Sequence, residues 1–296
     1  MTGDGSLHAS ALERARAAAH PPGEFVGQES FMRSSEIRML AERAGIARGT
    51  RVLDLCCGTG GPGRFITGFT GCSYLGVDAS TIAVQIARER SRELPCEFRV
   101  ARVPPLPQGT FDVVLLLETM LAFADKRPLV DAVARALATG GRFALTLEAG
   151  SPLTAAERAS MPAGETVWPV PLETMCDELR RAGLAVCWER DVTAEHRETA
   201  AALLHAYEQA AIGSEAASGL IAGHRTWVDW LGSGRVRKVM LVAEREMIDS
   251  TALSGRKASS ARIEGGPISG ISARPRTPRC DGLRPQPPCT RYLRAT

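Results

Sequence analysis

Short apolar runs alternate along the chain with segments in which apolar residues recur every three or four positions. Apolar runs of this length predict strands, and the recurrences predict amphipathic helices. The predicted strands are 51–56, 73–77, 97–100, 111–117, 142–147, 184–188 and 236–242. The predicted helices fall at 30–44, 63–68, 80–87, 129–137 and 172–179. Strands that alternate with helices in this way indicate a doubly wound α/β sheet with helices on both faces.

Two stretches interrupt this alternation. Residues 149–171 are irregular and proline-rich, whereas 193–231 predict two helices that carry leucine, tyrosine and tryptophan side chains. Ligands of doubly wound sheets bind at the carboxyl ends of the strands, which is the edge from which both stretches would emerge. We therefore expect 193–231 to form a helical lid over a ligand site.

The two ends of the chain differ from its body. Residues 1–29 show no strong pattern beyond a short helix, and we treat them as an N-terminal extension. Residues 248–296 are rich in Ser, Gly, Arg and Pro and have few large apolar side chains. Such a segment cannot bury enough surface to offset its ordering entropy, so we expect a disordered basic tail, a functional tail being the alternative. This division leaves 30–247 as one domain.

The formal net charge of +3 comes from that tail. Of the 36 basic and 33 acidic residues, nine and three lie in 248–296, which leaves 27 basic and 30 acidic residues elsewhere. A mildly acidic body without a basic stripe disfavours a nucleic-acid partner. The oligomeric state stays open, a homo-oligomer included.

Neither a membrane nor a metal is expected from the sequence. No run approaches the ~20 apolar residues of a membrane span. Because the N-terminus also lacks the apolar segment of a secretory signal, the expectation is a cytoplasmic protein. The eight cysteines form no zinc-ligand spacing, and reduced thiols suit that compartment.

The most informative segment is 52–63, VLDLCCGTGGPG, which follows a predicted strand and opens a helix. Glycines at Gly58 and Gly60 would let a ligand approach the backbone closely. Asp54 in the turn would repel a pyrophosphate but suits an ammonium or sulfonium charge. Asp78 ends the next strand, where a carboxylate can accept hydrogen bonds from ribose hydroxyls. Although Asp78 could instead cap a helix, the joint pattern favours a nucleoside site.

This pattern resembles the first motif of class I methyltransferases, D/E-x-G-x-G-x-G, with Asp78 in the place of their ribose-binding acid. The resemblance covers roughly residues 25–245. It implies a Rossmann-like sheet of seven strands whose last strand is antiparallel. It also implies S-adenosylmethionine as the cofactor, with the methyl group passing by SN2 displacement to an O, N or C nucleophile.

The resemblance also implies roles for individual residues. Those at the methionine half, the ribose and the adenine would be Asp54, Cys56, Gly58, Gly60, Asp78, Ala79, Ala101, Arg102 and Val103. Glu118 would stand where the cofactor pocket meets the substrate. Gln28 or Arg33 would contact the cofactor carboxylate, although Arg33 could equally be a solvated helix charge.

Two positions depart from the family pattern. Cys56 replaces the usual first glycine, and its small side chain should be tolerated. Relatives often carry Gly-Asp-Ala after the third strand, where this chain has Val100, Ala101 and Arg102. Adenine recognition would then rest on backbone groups of 101–103.

The resemblance fixes no catalytic residue. Glu148, which ends the fifth predicted strand, could act as a base or orient the acceptor. His224, on the second lid helix, is the other candidate, with a packing or surface role as its alternative. The layout resembles the branch that methylates small metabolites such as natural products, quinones and amines.

Two other functions stay in view. The departures at Cys56 and Arg102 motivate a non-catalytic cofactor-binding or stabilising subunit with the same fold. A nicotinamide-dependent dehydrogenase is disfavoured by Asp54 in the glycine turn.

Overall fold

The computed structural model describes residues 4–161, 167–209 and 215–246, so the tail predicted at 248–296 lies outside the described residues. The strands are β1 (Arg51–Leu55), β2 (Ser73–Asp78), β3 (Cys96–Val100), β4 (Phe111–Leu116), β5 (Leu137–Ala149), β6 (Leu184–Asp191) and β7 (Arg237–Arg245). The helices are α1 (Asp4–Ala19), α2 (Ser34–Arg43), α3 (Gly61–Thr70), α4 (Thr81–Arg90), α5 (Arg127–Ala136), α6 (Ala155–Ser160), α7 (Leu172–Arg181), α8 (Thr193–Gln209) and α9 (Glu215–Ser233). In the described ranges no helix has both the length and the apolar character that a membrane span requires.

The strands form one seven-stranded sheet in the order β3-β2-β1-β4-β5-β7-β6. The pairs along β3-β2-β1-β4-β5 are parallel, whereas β7 pairs antiparallel with both β5 and β6. This topology confirms the expected Rossmann-like sheet with an antiparallel last strand. The chain runs outward from β1 in one direction and from β4 in the other, so ligands are expected at the carboxyl ends of this central pair.

Alternate side chains of the strands enter two apolar layers, one on each face of the sheet. Leu53 and Leu55 pack in the layer that contains Leu129 of α5 and Met175 of α7. The other layer holds apolar side chains of β1, α2, α3 and α4, namely Val52, Ile37, Leu40, Ile66 and Val84. Because both faces are covered, β4 is apolar throughout its buried length, as its sequence predicted.

A third apolar cluster joins α1, α8 and α9 above the carboxyl edge of the sheet. It contains Leu12 of α1, Leu203 of α8 and Trp227 of α9, together with Phe31 from the segment between α1 and α2. The N-terminal residues thus contribute a helix that packs against α8. The two helices predicted within 193–231 are present as α8 and α9.

The start of β5 differs from its prediction. The preceding helix and this strand were expected at 129–137 and 142–147, but α5 ends at Ala136 and β5 begins at Leu137, so Gly140 and Gly141 lie inside β5. A Cβ on Gly141 would lie 2.9 Å from the carbonyl oxygen of Ala138 and 3.0 Å from that of Asp112. Gly141 is therefore required by close backbone packing within the strand. In sequence, such a glycine looks the same as one that ends a helix.

Candidate active site

A cavity of about 190 Å³ opens at the carboxyl ends of β1, β2 and β4. One half is lined by the turn after β1, by Asp78 and by the segment from Gly27 to Ser30, whereas Phe31 packs against Trp227 in the other half. The other half is lined by α8, α9 and the residues after β4, including Leu121, Leu203 and Trp227. The cavity thus lies at the topological switch point, and α8 and α9 occupy the half away from the glycine turn.

The turn after β1 depends on left-handed backbone conformations. Cys56, Gly58 and Gly60 have φ angles of 58°, 54° and 76°. A Cβ on Gly60 would lie 2.8 Å from the Phe98 ring, so this position requires glycine on both grounds. Cys56 adopts the same region with a side chain, at the position where the family pattern has glycine.

Asp78 fastens this turn. Its Oδ2 accepts a hydrogen bond from the Gly58 amide at 3.0 Å, and its Oδ1 accepts one from the Ser80 amide at 2.8 Å. Burial raises the pKa of Asp78, and the amide hydrogen bonds oppose that rise. Since each carboxylate oxygen has a second lone pair, Asp78 can still accept hydroxyl groups of a ligand in the cavity.

Asp54 is the deepest acid of the cavity. It is 2% exposed, and its Oδ2 accepts a hydrogen bond from the Tyr74 hydroxyl. Burial raises the pKa of Asp54 to about 7, the Tyr74 hydrogen bond lowers it, and Asp78 adds to the rise. A cation placed beside Asp54 would reverse this effect of burial, because an opposite charge favours the ionised carboxylate.

The predicted contacts before β1 are rearranged. Gln28 lines the cavity, but its amide is used within its own loop: Oε1 accepts from Val26, and Nε2 donates to the carbonyls of Glu24 and Met32. Arg33 is not among the cavity-lining residues, and its guanidinium donates to Glu198 at 2.8 Å. The structure therefore gives Gln28 a loop-holding role and directs Arg33 to α8.

The cavity also contains a basic residue that the sequence did not single out. Arg16 of α1 lines the cavity, is 8% exposed and donates to Oε1 of Glu29 at 3.1 Å. Burial raises the pKa of the neighbouring Tyr207, whereas the charge of Arg16 and a hydrogen bond from it act in the opposite direction. A buried guanidinium in a ligand cavity is suited to a carboxylate or phosphate group.

The residues predicted near adenine are less close to the cavity. Among the described residues, neither Ala79 nor 101–103 belong to its lining, and Gly60, which was predicted at the methionine half, does not line it either. The Ala101 amide donates to the Asp78 carbonyl at 2.9 Å, and Arg102 is exposed. These residues support the edge of the site through β2 and β3, and Ala83 of α4 is a lining residue close to that edge.

A buried ionic cluster lies next to the half of the cavity that α8 and α9 line. Nζ of Lys238, on β7, donates to Oε2 of Glu118 and to Oε1 of Glu148 at 2.7 Å each. His196 of α8 donates from Nε2 to Glu36 at 3.1 Å, and its Nδ1 lies 3.8 Å from Oε1 of Glu118. Burial acts to raise the pKa of Glu118, but Lys238 and His196 outweigh it, so this pKa lies below its ordinary value.

The two predicted catalytic candidates are thereby separated. Glu118 lines the cavity, whereas Glu148 is 1% exposed, does not belong to the lining and is held by Lys238. His224 lines the cavity, and its Nδ1 lies 2.8 Å from the Leu220 carbonyl. A carbonyl can only accept, so Nδ1 carries the proton and the neutral ring has its lone pair on Nε2. Burial lowers the pKa of His224, which keeps the ring in this basic form.

Lys238 is a further residue of the site that sequence reasoning missed, and His196 was only a lower-ranked candidate beside His224. The two side chains come from β7 and α8, which are far apart in sequence from Glu36 and Glu118. The available signal was a lysine inside an apolar strand, in a chain with only three lysines, at 126, 238 and 257.

Comparison with known proteins supports the interpretation of this domain. Residues 52–141 match a family described as methyltransferase domain. The sterol 24-C-methyltransferase of Eremothecium gossypii is 35% identical over 129 residues, which is 41% of this chain and 35% of that protein. Methyltransferase GfsG of Streptomyces halstedii is 32% identical over 112 residues, 36% of this chain and 40% of that protein. The chain thus spans about a third to two fifths of the length of these relatives.

The fold comparison covers more of the chain. The cyclopropane synthase MmaA2 from Mycobacterium tuberculosis superposes with a TM-score of 0.68 at 15% identity, covering 79% of this chain and 93% of that one. At this identity the likeness concerns the fold alone. Residues 52–141 thus resemble a methyltransferase domain, and the described sheet has the Rossmann-like fold of this solved structure.

Proposed function

We propose that the protein transfers a methyl group from S-adenosylmethionine to an O, N or C nucleophile of a small-molecule acceptor. The observation that carries this proposal is the pairing of Asp54 and Asp78 across the glycine turn in one cavity. The two carboxylates match two polar parts of the cofactor, one cationic and one neutral. Asp54 suits its ammonium group, and Asp78 suits its ribose hydroxyls.

The fit of this chain to the cofactor rests on its own donors and acceptors. Asp78 keeps acceptor capacity beyond its bonds to the amides of Gly58 and Ser80. Asp54 is a buried acid in need of a cationic partner, and we assign the cofactor carboxylate to Arg16 rather than to Gln28 or Arg33. When bound, the cofactor supplies a methyl group already activated by its sulfonium charge.

The protein's contribution is then to hold the cofactor, to orient the acceptor and to exclude water from the site. The glycine turn, with Cys56 and Gly58, lines the cofactor half, and Glu118 lines the passage to the other half. We propose that α8 and α9 act as the lid over the acceptor. Their position on the half of the cavity away from the glycine turn supports this proposal. Where an acceptor must lose a proton, Nε2 of His224 is suited to take it.

The acceptor is proposed to be small and largely apolar. The lid half combines the aromatic side chains of Phe31, Tyr207 and Trp227 with Leu121 and Leu203. Enclosed apolar walls with a few polar groups are typical of small-molecule sites. Alignment of acceptor and methyl donor in such an enclosure supplies much of the rate enhancement.

The test is a binding titration followed by a product assay with the full chain. Calorimetry should show binding of S-adenosylmethionine and S-adenosylhomocysteine, and Asp78→Ala should weaken both by about 1–3 kcal/mol, the cost of leaving buried polar partners unsatisfied. Asp131→Ala, at a salt bridge to Arg181, is the matched control. Absence of binding in the wild type overturns the proposal.

The product assay separates the enzyme from its alternative. Incubation with a pool of candidate acceptors and labelled cofactor should yield S-adenosylhomocysteine and a labelled methylated product. Cofactor binding without product from any acceptor class would favour the non-catalytic subunit instead.

A further inference from the structure

The two lysines of the described domain are both buried, but they use their protons differently. Nζ of Lys126 donates to three carbonyls, those of Met120, Phe123 and Trp168. Nζ of Lys238 donates to Glu118 and Glu148, which are its two acceptors among the described residues. An ammonium has three donors, so Lys126 is satisfied and Lys238 has one N–H left over.

The remaining N–H of Lys238 faces the half of the cavity lined by α8 and α9, which is called the acceptor half because the proposed acceptor would bind there. Lys238 is a lining residue, and its Nζ lies 5.3 Å from the Phe31 ring centroid and 5.1 Å from that of Trp227. Both rings line the same half. The ammonium is therefore presented to the cavity between two aromatic faces rather than enclosed by backbone carbonyls.

Lys238 acts here as a donor and not as a base. Burial lowers its pKa, but Glu118 and Glu148 raise it further, and the balance lies above the ordinary lysine value. A cationic amine next to this ammonium would meet a like charge, whereas an oxygen would receive a charge-assisted hydrogen bond. The geometry thus favours an acceptor that places an oxygen at Lys238.

A base is available in the same half. The Phe31 ring makes an edge contact with His224 at 5.8 Å between ring centroids, so His224 and Lys238 flank one aromatic side chain. Nε2 of His224 carries the lone pair, because Nδ1 donates to Leu220. The other ionisable groups near Lys238 are Glu118, which lines the cavity and is paired with Lys238, and Glu148 and His196, which do not belong to the lining.

We propose that the acceptor is a planar apolar compound with an ionisable hydroxyl, a phenol or an enol, whose oxygen is bound by Lys238 and methylated. This inference rests on the proposed function and names its substrate class. Nε2 of His224 takes the hydroxyl proton, and the Lys238 ammonium stabilises the developing oxyanion. The oxygen forms the new bond to the methyl carbon as the carbon–sulfur bond breaks, and the electron pair of the broken bond passes to sulfur. The imidazolium proton leaves to solvent.

The experiment uses 4-nitrophenol, whose ionisation is visible by absorbance, with the full-length protein saturated in S-adenosylhomocysteine. If Lys238 donates to its oxygen, bound nitrophenol should ionise at a pH at least one unit lower than free nitrophenol, a tenfold shift in its acid equilibrium. The matched amine, 4-nitroaniline, should bind at least tenfold more weakly than the nitrophenolate. Failure of nitrophenol to bind, or binding with unchanged ionisation, overturns the proposal.

Variants assign the effect to the residue. Lys238→Met should abolish the ionisation shift. If that variant does not fold, because two buried carboxylates lose their partner, the double variant K238M/E148Q removes one of them and should give the same result. Lys126→Met is the matched buried-lysine control and should keep the full shift. Retention of the shift in both Lys238 variants would also overturn the proposal.

The two proposals fail in different ways. The affinity for S-adenosylhomocysteine is measured in the same samples before nitrophenol is added. Its absence would overturn the proposed function and this inference together. Normal affinity with no phenol ionisation shift would remove only the phenol or enol acceptor and leave methyl transfer to another nucleophile.

Discussion

The Tyr74 hydroxyl donates a hydrogen bond to Oδ2 of Asp54 beneath the glycine turn. Both side chains are buried, and Tyr74 also contacts Gly63 so closely that a Cβ there would lie 2.2 Å from the ring. The residue that orients the deepest acid of the cavity is therefore itself locked by the first turn of α3. Asp54 is held in place before any ligand arrives.

The first prediction concerns pH and cofactor binding. Burial raises the pKa of Asp54 to about 7, so the acid is mostly protonated at pH 6 and mostly ionised at pH 8. A cationic ligand requires the ionised form, so S-adenosylhomocysteine should bind about tenfold more tightly at pH 8 than at pH 6. Binding near pH 7 should also release a proton. Calorimetry in buffers of different ionisation enthalpy measures that release, and Asp54→Asn should abolish it while leaving weaker binding.

The same shift has a consequence for the free protein. The folded-state pKa of Asp54 lies above its unfolded value, so the folded protein holds this proton more tightly. The contribution of this proton to the free energy of unfolding is fully present below about pH 4 and is lost as the pH rises through about 7. Bound cofactor should oppose this loss. A pH-independent cofactor affinity would show that Asp54 does not face the ammonium group.

The order of elements and the glycine turn were predictable from sequence because both depend on local patterns. Apolar runs gave β1 to β4 to within a residue or two of their bounds, and a turn with Asp54, Gly58 and Gly60 carries its own backbone requirements. The antiparallel last strand followed from the family resemblance rather than from periodicity.

The charged part of the site was predicted less well, for a physical reason. Arg16 precedes the glycine turn by about forty residues, and only the packing of α1 against α8 brings it to the cavity. Lys238 is paired in the interior with Glu118, which follows β4, and with Glu148 of β5. Such partnerships are decided by tertiary structure, whereas Gln28 and Arg33 were chosen by their position before the first strand.

The second prediction assigns Arg16 to the cofactor carboxylate. Arg16→Gln should weaken S-adenosylmethionine by about 1.5–3 kcal/mol, the range for a hydrogen bond to a charged group. A cofactor analogue without the carboxylate should bind the wild type weakly and should lose nothing further in the variant. Exposed Arg135→Gln is the control. Equal losses for both ligands would place Arg16 elsewhere in the site.

The third prediction concerns His224. The Leu220 carbonyl fixes the proton on Nδ1, which leaves the lone pair on Nε2, and the ring lines the cavity. With an acceptor that must lose a proton, His224→Gln should lower kcat by about 10²- to 10⁴-fold and leave cofactor affinity unchanged. In the wild type, kcat/KM should rise with pH through a pKa below the ordinary 6.5 of histidine. An unchanged kcat would leave His224 with the packing role.

The fourth prediction tests the contact between α3 and the segment before α2. A Cβ on Gly61 would lie 2.4 Å from the carbonyl carbon and oxygen of Gly27, so Gly61→Ala must displace this backbone. We expect a loss of about 1–3 kcal/mol in the free energy of unfolding, as for overpacking elsewhere. Because Gly27 to Glu29 line the cavity, cofactor affinity should fall as well.

A matched control lies in the same helix. Gly68 of α3 is exposed, and a Cβ there would meet no atom within 4 Å. Gly68→Ala should therefore stabilise the protein by about 0.5–1 kcal/mol through helix propensity and leave binding unchanged. Urea unfolding of both variants checks the contrast. Similar stabilities would mean that the Gly27 segment yields without cost.

The last prediction concerns Trp227, a tryptophan of the segment expected to form a lid, which can serve either the core or the pocket. The structure gives it both, since it is 3% exposed, packs against Phe31 and Trp230, and lines the acceptor half of the cavity. Trp227→Ala should therefore cost about 3–5 kcal/mol of stability, as for a buried tryptophan. Loss of folding would mask any effect on the acceptor, so a gentler substitution is needed.

Trp227→Phe keeps an aromatic ring and reduces the side chain that faces the acceptor. It should fold, bind cofactor normally and raise the acceptor KM, because the glycine turn and Asp78 lie on the other half of the cavity. Trp230→Phe is the matched control, since Trp230 packs on Trp227 from the same helix but is not a lining residue. If Trp227→Phe instead lost cofactor affinity with folding intact, α9 would have to cover the cofactor, and the assignment of the two halves would be reversed.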